Sequence, residues 1–356
     1  MPYRIAKLKE KLCENQLDSY LVSRPPNLRY YTGSMGGSHL LIASDIDPLL
    51  LVSSLDSYVV KDQAQGCLVE ILSQTNQVSQ IADYLREASC INVGFDDLSH
   101  RFLHRLKERL PEITFIQNHE IIWSQRVVKD ASEKNLVKEA GRLADLAMNA
   151  LQEKLTLGVT EYLLAAEASY AMTKEGAESH AFDFIIGSGP RSAYPHSSVT
   201  NRKIKRGDLI VVDIGATYKG YRSDITRTFI AGRPNPKQME IYETVLRANE
   251  AAYSEMKSGA SCKYVDNVAR EIIEKSGYGA EFIHSLGHGI GLEIHEPPTV
   301  SQRSMEKLEV GNIVSDEPGI YLHGYGGVRI EDTILVTAKD PIKLTRHPRK
   351  LDEVVI

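Results

Sequence analysis

The chain contains 356 residues, of which 42% are hydrophobic, and its formal net charge at pH 7 is −5. A chain of this length exceeds the size at which one hydrophobic core usually stops growing, so two domains are expected. The net negative charge argues against a nucleic-acid-binding surface, and the sequence contains no apolar run of about 18 residues that would predict a membrane-spanning helix.

The start of the chain and its cysteines predict a cytoplasmic protein. The first residues, M-P-Y-R-I-A-K-L-K-E-K-L, place charged and apolar side chains at helical spacing and lack the uninterrupted apolar stretch of a signal peptide. The four cysteines, Cys13, Cys67, Cys90 and Cys262, are scattered without C-x-x-C pairing. This usage predicts reduced thiols in a cytosolic protein.

Short strands alternate with helices through residues 1–125, so we expect an N-terminal α/β domain with a mixed sheet. This region holds no dense group of potential metal ligands, and a shaping or dimerisation role is therefore expected rather than catalysis. The predicted elements are a first helix marked by Ile5, Leu8 and Leu12, strands at Ser19–Ser23, His39–Ala43, Leu49–Val52, Val69–Leu72 and Ile91–Gly94, and helices at Gln77–Glu87 and Ser99–Arg109.

A change of pattern near residues 123–130 predicts a second domain, residues 126–356, which begins with a long helix. Asp130 and Glu133 have the spacing of a capping box, and the apolar face of the helix continues until Gly158 stops it. Further helices are predicted from Thr160, as the cap, to about Lys174, from Pro236 to about Lys257, and from Ser261 to Lys275.

Two aspartates lie in the strand-like stretch V-V-D-I-G-A-T-Y-K-G-Y-R-S-D-I-T-R-T. Asp213 ends an apolar strand, and Asp224 opens a second β-rich run that extends to Ile230. A two-residue turn on Tyr218 and Lys219 would place the carboxylates directly opposite each other, with Cβ atoms about 5 Å apart. Like charges at this distance repel unless a cation lies between them, and a divalent metal is the simplest such cation.

The order helix, helix, strands, hairpin occurs across residues 131–232 and again across 236–338, which suggests an internal duplication around one site. In the second copy, Glu317 and Glu331 flank a glycine-rich turn, and a three-residue loop would place them face to face. His288 lies between glycines that allow close backbone approach. Two aspartates, two glutamates and one histidine suffice for two divalent ions, and such ligands suit Mn²⁺, Co²⁺, Fe²⁺ or Zn²⁺.

The segments V-D-I-G-A, S-D-I-T-R-T-F, G-H-G-I-G-L, E-P-G-I-Y and R-I-E-D match the metal-binding motifs of the pita-bread metallopeptidases in order and spacing. The chain thus resembles the family that includes methionine aminopeptidase, aminopeptidase P and prolidase. Its N-terminal part, with N-L-R-Y-Y-T-G, looks like a domain of the prolidase and aminopeptidase P branch that methionine aminopeptidases lack. Over nearly the whole chain, the resemblance implies an α+β fold: a C-terminal pita-bread catalytic domain preceded by an N-terminal α/β domain of the creatinase/prolidase type.

The resemblance also implies the ligands of a dinuclear metal centre, in which Asp224 and Glu331 bridge the ions. One departure from the family pattern is visible. Family members often carry a threonine and an apolar residue before the glutamate of E-P-G-I-Y, where this chain has Ser315 and Asp316. A serine can still hydrogen-bond a ligand, whereas the sequence gives no account of Asp316. The implied ligands are Asp213, Asp224, His288, Glu317 and Glu331.

Four further residues match active-site positions of the family: His196, His295, His284 and Arg329. His196 and His295 would hydrogen-bond the substrate carbonyl or the tetrahedral intermediate, and Arg329 would orient a ligating carboxylate. Glu317 is the candidate for taking and returning the proton. Simpler explanations exist, since a lone histidine is usually a core or surface residue and Arg329 could form only a cross-strand salt bridge. The basic stretch 343–350 is expected to be a solvated face without a partner.

We therefore expect a metal-dependent Xaa-Pro dipeptidase of the prolidase type, using Mn²⁺ or Co²⁺ in preference to Zn²⁺ or Fe²⁺, with small peptides as its substrates. Aminopeptidase P, which takes longer peptides, is the nearest alternative. Metal-free hydrolysis of a small amidino compound, as in creatinase, is a second, and a non-enzymatic binding protein that reuses the fold is a third. The complete ligand set argues against both. A homodimer is implied by the resemblance alone.

Overall fold

The computed structural model describes residues 1–72 and 76–356. The chain divides into two compact units, residues 1–126 and residues 127–356. Each unit contains its own cluster of buried apolar side chains.

The first unit is built on a six-stranded mixed sheet. Its helices are α1 (Pro2–Glu14), α2 (Pro25–Thr32), α3 (Ser57–Gln63), α4 (Gln77–Glu87), α5 (His100–Arg109) and α6 (Glu120–Arg126). Its strands are β1 (Ser19–Val22), β2 (His39–Ala43), β3 (Leu49–Val52), β4 (Leu68–Ile71), β5 (Asn92–Phe95) and β6 (Thr114–Gln117). The strand order is β4-β3-β2-β1-β5-β6, with β2 antiparallel to both neighbours and the remaining pairs parallel. The predicted mixed α/β layer is confirmed.

Local sequence signals account for several of these elements. Leu8 and Leu12 of α1 are fully buried, as the helical spacing predicts. Ser99 caps α5, since its side chain accepts a hydrogen bond from the backbone N–H of Phe102 at 3.2 Å. The helix α2 begins with a proline and ends before Gly33, whose φ of 78° is the left-handed conformation typical of helix ends. The sequence pattern did not predict α2, α3, β6 or α6.

The helices of the second unit are α7 (Ala131–Lys154), α8 (Glu161–Lys174), α9 (Pro236–Glu255) and α10 (Cys262–Lys275). The predicted capping box at the start of α7 is confirmed, because Asp130 and Glu133 each accept the other's backbone N–H, at 2.9 and 2.8 Å. The helix ends at Lys154, before the predicted stop at Gly158. Thr160 caps α8, as predicted. Among the described residues, no helix is both long and apolar enough to cross a membrane.

The strands of the second unit are β7 (Ser179–His180), β8 (Ile185–Ser188), β9 (Leu209–Ile214), β10 (Ala216–Tyr218), β11 (Tyr221–Arg222), β12 (Ile225–Ile230), β13 (Gly287–Gly289), β14 (Glu296–Val300), β15 (Ile313–Asp316), β16 (Gly319–Leu322), β17 (Gly326–Arg329), β18 (Asp332–Leu335) and β19 (Ile342–Lys343). One sheet has the order β12-β9-β8, and a second contains β18-β15-β13, extended by β14 and β19. A helix pair precedes each of these antiparallel triplets, so the element order expected for an internal duplication is present in both halves.

The four acids of interest lie where strands pass from one sheet to another. Asp213 is the penultimate residue of β9, and Asp224 lies directly before β12. Glu317 directly follows β15, and Glu331 directly precedes β18. Asp213 remains paired with both neighbouring strands, whereas the other three acids lie just outside the strands that adjoin them.

Candidate metal centre

The hairpin that carries the two aspartates has a different register from the predicted one. Tyr218 pairs with Tyr221, so the turn consists of Lys219 and Gly220, whose φ angles of 45° and 81° are both left-handed. Thr226, rather than Asp224, pairs with Asp213. The predicted direct opposition of the two aspartates is therefore wrong by two residues. Since side chains alternate with a period of two, this shift leaves both carboxylates on the same face of the hairpin.

The hairpin that carries the two glutamates has the predicted register. Asp316 pairs with Asp332 and Gly319 pairs with Arg329, so the pairing has the same register on both sides of Glu317 and Glu331. The loop of this hairpin has three residues, 323–325, as predicted. The two glutamates themselves make other backbone contacts. The N–H of Glu317 donates to the carbonyl of Leu286 at 2.9 Å, and the N–H of Glu331 donates to the carbonyl of Thr226 at 3.0 Å. These bonds tie the glutamates to the strand of His288 and to the aspartate hairpin.

The glycines around His288 permit close backbone packing, as the sequence predicts. A Cβ atom on Gly287 would lie 2.1 Å from the carbonyl oxygen of Ser315, and one on Gly289 would lie 2.2 Å from that of Pro297. The N–H of His288 donates to the Ser315 hydroxyl at 3.0 Å, and this hydroxyl donates to Oε1 of Glu317 at 3.1 Å. Ser315 thus connects two of the predicted ligands, which is the contact expected of a serine at this position.

Four carboxylates and the His288 imidazole converge in one place. Nε2 of His288 lies 3.3 Å from Oε1 of Glu317 and 3.7 Å from Oδ2 of Asp224. Ligand atoms of Asp224, His288 and Glu331 all lie within 4.8 Å of one another. Nδ1 of His288 lies 3.1 Å from the carbonyl of Gly289, which leaves Nε2 free to face the acids.

The donor set fits divalent cations. Three buried carboxylate oxygens, Oδ1 of Asp213, Oδ1 of Asp224 and Oε1 of Glu331, have no hydrogen-bond partner among the described residues. Leaving such oxygens unpaired is costly, and cations would satisfy them. When ionised, the four acids and the nearby Arg329 carry a net charge of −3. One divalent cation would leave −1, and two would give +1.

Burial and mutual repulsion raise the pKa values of most of these acids. Burial raises the pKa of Asp224 well above its usual range, and the charge of Glu331 adds to this effect. Burial likewise raises the pKa of Glu331, with Glu317 as the next contributor. The pKa of Asp213 is also raised by burial, although Arg329 opposes this shift. A cluster that resists ionisation without cations is a typical feature of a functional site.

Glu317 differs from the other three acids. Its burial acts to raise the pKa, but a hydrogen bond from His288 and the charge of that imidazole lower it to about 2. Burial acts to lower the pKa of His288, and the same hydrogen bond raises it above its ordinary value. The two side chains therefore form an ion pair in the protein without metal. A cation on Nε2 of His288 would compete with this pair.

The structure brings all nine predicted site residues to the wall of one cavity of about 1400 Å³. The His295 ring lies against that of His288, with centroids 4.2 Å apart. Burial and the neighbouring His288 lower the pKa of His295. The chemical roles of these residues stay predictions. The nine residues are His196, Asp213, Asp224, His284, His288, His295, Glu317, Arg329 and Glu331.

Arg329 makes more contacts than a simple cross-strand salt bridge. Its guanidinium donates to Oδ2 of Asp213 at 2.6 Å and to the hydroxyl of Thr226 at 3.0 Å. The Thr226 hydroxyl donates in turn to Oε2 of Glu331 at 2.6 Å. Arg329 therefore orients one acid directly and a second through Thr226. Sequence reasoning missed Thr226, because the wrong hairpin register hid its position opposite Asp213.

Tyr321 was also missed. Its hydroxyl accepts a hydrogen bond from Arg329 at 2.9 Å and lies 3.0 Å from Nε2 of His284, whose Nδ1 lies 2.8 Å from the carbonyl of Ser285. Burial raises the pKa of Tyr321 to about 12 and lowers that of His284. The available signal was the even spacing of Tyr321 from Glu317, which places both side chains on one face of the hairpin.

Asp316 is not among the described residues that line the cavity. It is fully buried, and neither carboxylate oxygen has a hydrogen-bond partner among the described residues. Its strand partner, Asp332, accepts charge-assisted hydrogen bonds from Arg227, Lys343 and Arg349. Burial raises the pKa of Asp316 well above its usual range, although Lys343 opposes the shift. A protonated Asp316 beside an ionised Asp332 is the state that this arrangement favours.

The prediction that residues 343–350 form a solvated face is wrong. Lys343 and Arg349 form ion pairs with the fully buried Asp332. Thr345 and His347 are themselves buried. Charge patterning did not reveal this, because the burial of Asp332, which lies 11 residues before Lys343, is not apparent from the sequence.

Comparison with known proteins agrees with this architecture. Residues 135–338 match the metallopeptidase family M24, and residues 4–128 match the creatinase/prolidase N-terminal domain. The chain is 39% identical to an Xaa-Pro dipeptidase of Pyrococcus furiosus, over 99% of this chain and 100% of that protein. The solved prolidase of Pyrococcus horikoshii OT3 superposes with a TM-score of 0.92 at 38% identity, covering 98% of this chain and 99% of that one.

A solved X-Pro aminopeptidase of Thermotoga maritima is also similar, with a TM-score of 0.91 at 32% identity, and covers 99% of this chain and 100% of that one. These similarities extend through both units. The second unit has the pita-bread fold, and the predicted fold class and family are confirmed. The chain belongs to the metallopeptidase family M24, with a creatinase/prolidase N-terminal domain ahead of its catalytic unit.

Proposed function

We propose that the protein is a metal-dependent dipeptidase that hydrolyses the bond before proline in Xaa-Pro dipeptides. One observation carries the proposal: four carboxylates and an imidazole line a single cavity and leave three buried carboxylate oxygens without partners. The similarity to Xaa-Pro dipeptidases over the full length of both chains supports the choice of substrate. A bond before proline is a tertiary amide without an N–H, so a pocket shaped for the proline ring must replace recognition of that proton.

Two divalent cations would be held by Asp213, Asp224, His288, Glu317 and Glu331. Hard oxygen ligands with one imidazole suit Mn²⁺ or Co²⁺, with Zn²⁺ or Fe²⁺ as the next candidates. Such cations supply a nucleophilic water near neutral pH and polarise the scissile carbonyl.

Glu317 takes a proton from the attacking water and returns it to the leaving nitrogen. Its low pKa in the protein without metal depends on His288 acting as a hydrogen-bond donor. The hydroxyl of Ser315 keeps the carboxylate oriented.

The histidines on the cavity wall act on the substrate. His196 and His295 donate hydrogen bonds to the carbonyl oxygen and to the oxyanion that develops from it. His295 is neutral near pH 7, since its pKa is lowered, and it therefore offers one N–H. Arg329 and Tyr321 hold Asp213 and His284 in place by the hydrogen bonds described above.

An Xaa-Pro aminopeptidase is the second candidate, and the size of the cavity favours it. A volume of about 1400 Å³ exceeds the ~300–1000 Å³ common for small-ligand sites. The similar X-Pro aminopeptidase of Thermotoga maritima supports the same candidate. Metal-free hydrolysis and a non-enzymatic role have no comparable support, because the acidic cluster is complete.

The deciding experiment compares kcat/KM for Ala-Pro with that for Ala-Pro-Ala and longer peptides, after loading with each divalent ion in turn. A dipeptidase cleaves Ala-Pro best, whereas an aminopeptidase prefers the longer peptides. Failure to cleave any Xaa-Pro bond with any of the four metals would reject both candidates. We further propose that the protein is cytoplasmic and forms a homodimer. The four free cysteines support the proposed compartment, because thiols remain reduced in the cytosol. Light scattering on the purified protein measures the oligomeric state.

A further inference from the structure

We propose that Glu161 and Arg191 are positioning residues that hold the part of the cavity wall carrying His196. This inference rests on the proposed function, because it concerns how a substrate-side histidine reaches its place. Neither residue lines the cavity, and neither belongs to the predicted site. Their contacts nevertheless determine the path of the loop between Ser188 and Thr200, which does line the cavity.

Glu161 is the first residue of α8, and its side chain is 0% exposed. Its Oε1 accepts hydrogen bonds from the N–H of Ser188 at 3.0 Å and from the Ser188 hydroxyl at 2.6 Å. Its Oε2 accepts from the N–H of Thr200 at 3.0 Å, from the Thr200 hydroxyl at 2.6 Å and from Arg191 at 2.5 Å. One buried carboxylate thus satisfies donors from both ends of a single loop.

The loop enclosed by these contacts forms a continuous stretch of the cavity wall. Ser188 precedes it and Thr200 follows it, and the lining residues between them are Tyr194, Pro195, His196, Ser197, Ser198 and Val199. These residues belong to no helix or strand, apart from an isolated bridge between Ser198 and Ile185. Because regular backbone pairing does not fix this loop, its position depends on side-chain hydrogen bonds.

Arg191 closes the loop from within. One terminal nitrogen of its guanidinium donates to Glu161, and the other donates to the carbonyl of Ser198 at 2.6 Å. The first nitrogen also lies 3.3 Å from the hydroxyl of Thr200. A planar fork can make these bonds at once, whereas a lysine ammonium at the same position could not reach both sides. Arg191 therefore fixes the segment two residues after His196 to the anchor at Glu161.

Replacing Glu161 by glutamine tests this anchor with little change of shape. Both carboxylate oxygens face donors only, so the amide NH₂ of a glutamine would oppose donors whichever way it turned. The loop would shift, and His196 would lose its alignment with the carbonyl oxygen. We expect kcat/KM for Ala-Pro to fall by about 10- to 100-fold, mainly through kcat. Glu139→Gln is the control, since it removes a partly exposed glutamate that pairs with Arg142 on α7.

A double-mutant cycle separates positioning from general destabilisation. If Glu161 acts through His196, the Glu161→Gln change costs little further activity in a His196→Ala background. If the two losses multiply, the proposal is overturned. Activity within about twofold of wild type for Glu161→Gln overturns it as well. A His196→Ala variant that keeps full activity would instead reject the proposed role of His196, which is a separate result.

Hydrogen exchange read by mass spectrometry gives a second test that needs neither metal nor activity. Glu161→Gln should accelerate amide exchange across residues 188–200 and leave peptides from α9 and α10 unchanged. Unchanged exchange across 188–200 would overturn the proposal whatever the kinetics show. Should Glu161→Gln fail to fold, Arg191→Lys takes its place in the same exchange and cycle measurements, with the same outcomes for and against.

Discussion

A buried ion pair between Lys129 and Glu296 gives the sharpest stability prediction. Nζ of Lys129 lies 3.0 Å from Oε2 of Glu296, and each side chain is only 1% exposed. Oε1 of Glu296 accepts a hydrogen bond from the N–H of Glu293 at 3.0 Å. A Cβ atom on Gly291 would lie 2.6 Å from Oε2, so the carboxylate fills the inside of the loop between His288 and His295.

Replacing Lys129 by methionine would remove the Lys129 ammonium from the buried Glu296 carboxylate. Removing one partner of a buried ion pair typically costs about 3–5 kcal/mol. For a unit of the size of residues 127–356, each kcal/mol lowers Tm by about 2–4 °C, so Tm should fall by roughly 6–20 °C. The measurement is thermal unfolding of the wild type and the variant, with metal removed from both so that binding does not contribute.

Two further variants make the result interpretable. Lys275→Met removes the cation of an exposed ion pair with Glu271 and should change stability little, because exposed pairs contribute roughly 0–1 kcal/mol. The double variant Lys129→Met with Glu296→Gln should be more stable than Lys129→Met alone, since it removes the carboxylate charge that Lys129 compensates and keeps an acceptor for the N–H of Glu293. A Lys129→Met protein as stable as the Lys275→Met control would refute the reasoning.

Three other predictions concern the metal centre. Glu317→Gln should lower activity by more than about 10³-fold while the protein remains folded, and steady-state kinetics within about tenfold of wild type would retire its role in proton transfer. Chelation should abolish Ala-Pro hydrolysis and lower Tm. Adding Mn²⁺ or Co²⁺ at about 100 times its Kd should raise the free energy of unfolding again by about 2.7 kcal/mol per site. An unchanged Tm after chelation would contradict this prediction. The pKa values of Asp224 and Glu331 are raised in the folded protein without metal. At pH values between the ordinary and the raised pKa, the folded protein therefore binds more protons than the unfolded chain. Its free energy of unfolding should fall as the pH rises through this range. Denaturant unfolding at several pH values should show a weaker fall for Asp224→Asn than for wild type, and an equal slope would count against the assigned shift.

Local signals in the sequence predicted much of the second unit. The capping box at Asp130 and the cap at Thr160 fixed the starts of α7 and α8, because both depend on residues three positions apart. The glutamate hairpin was predicted in its observed register, since its symmetrical three-residue loop left one natural pairing. The ligand set came from motifs whose members lie at strand ends, where carboxylates are rarely needed for packing.

The aspartate hairpin shows where a local signal was misjudged. A two-residue turn of the observed kind needs positive φ at both central residues, and glycine is favoured at the second. That rule selects Lys219 and Gly220, as the structure has them, over Tyr218 and Lys219. The corrected register places Thr226 opposite Asp213 and so reveals the hydrogen bonds that Arg329 makes.

Other features could not be predicted from the sequence. Glu161 and Arg191 are 30 residues apart, and nothing in their local pattern distinguishes them from a surface pair. The same holds for Lys129 and Glu296, which are separated by 167 residues. Buried charges of this kind are recognised only when the partner that neutralises them is known. Their stabilising contacts depend on the tertiary arrangement of the loops.

Each half of the catalytic unit carries two of the acids of the candidate site. The two halves differ in that only the second carries the histidine that lies beside these acids, His288. Asp213 pairs with Ile185 of β8, and the backbone of Glu317 bonds to Leu286 just before β13. Two residues further along these strands, the second half has His288 whereas the first has Gly187. A Cβ atom on Gly187 would lie 2.8 Å from the carbonyl oxygen of Arg191, so the loop that carries His196 fills this space.

This difference links the metal centre to the anchored loop. An imidazole on the first half would collide with the loop held by Glu161, because the backbone of the loop passes where the side chain would begin. The first half therefore supplies two carboxylates and, through its loop, His196, for which we propose a contact with the substrate. The second half supplies two carboxylates and His288, for which we propose a contact with a cation. A pair of cations in this site would consequently have unequal ligand sets, and the cation bound to His288 would have the softer one.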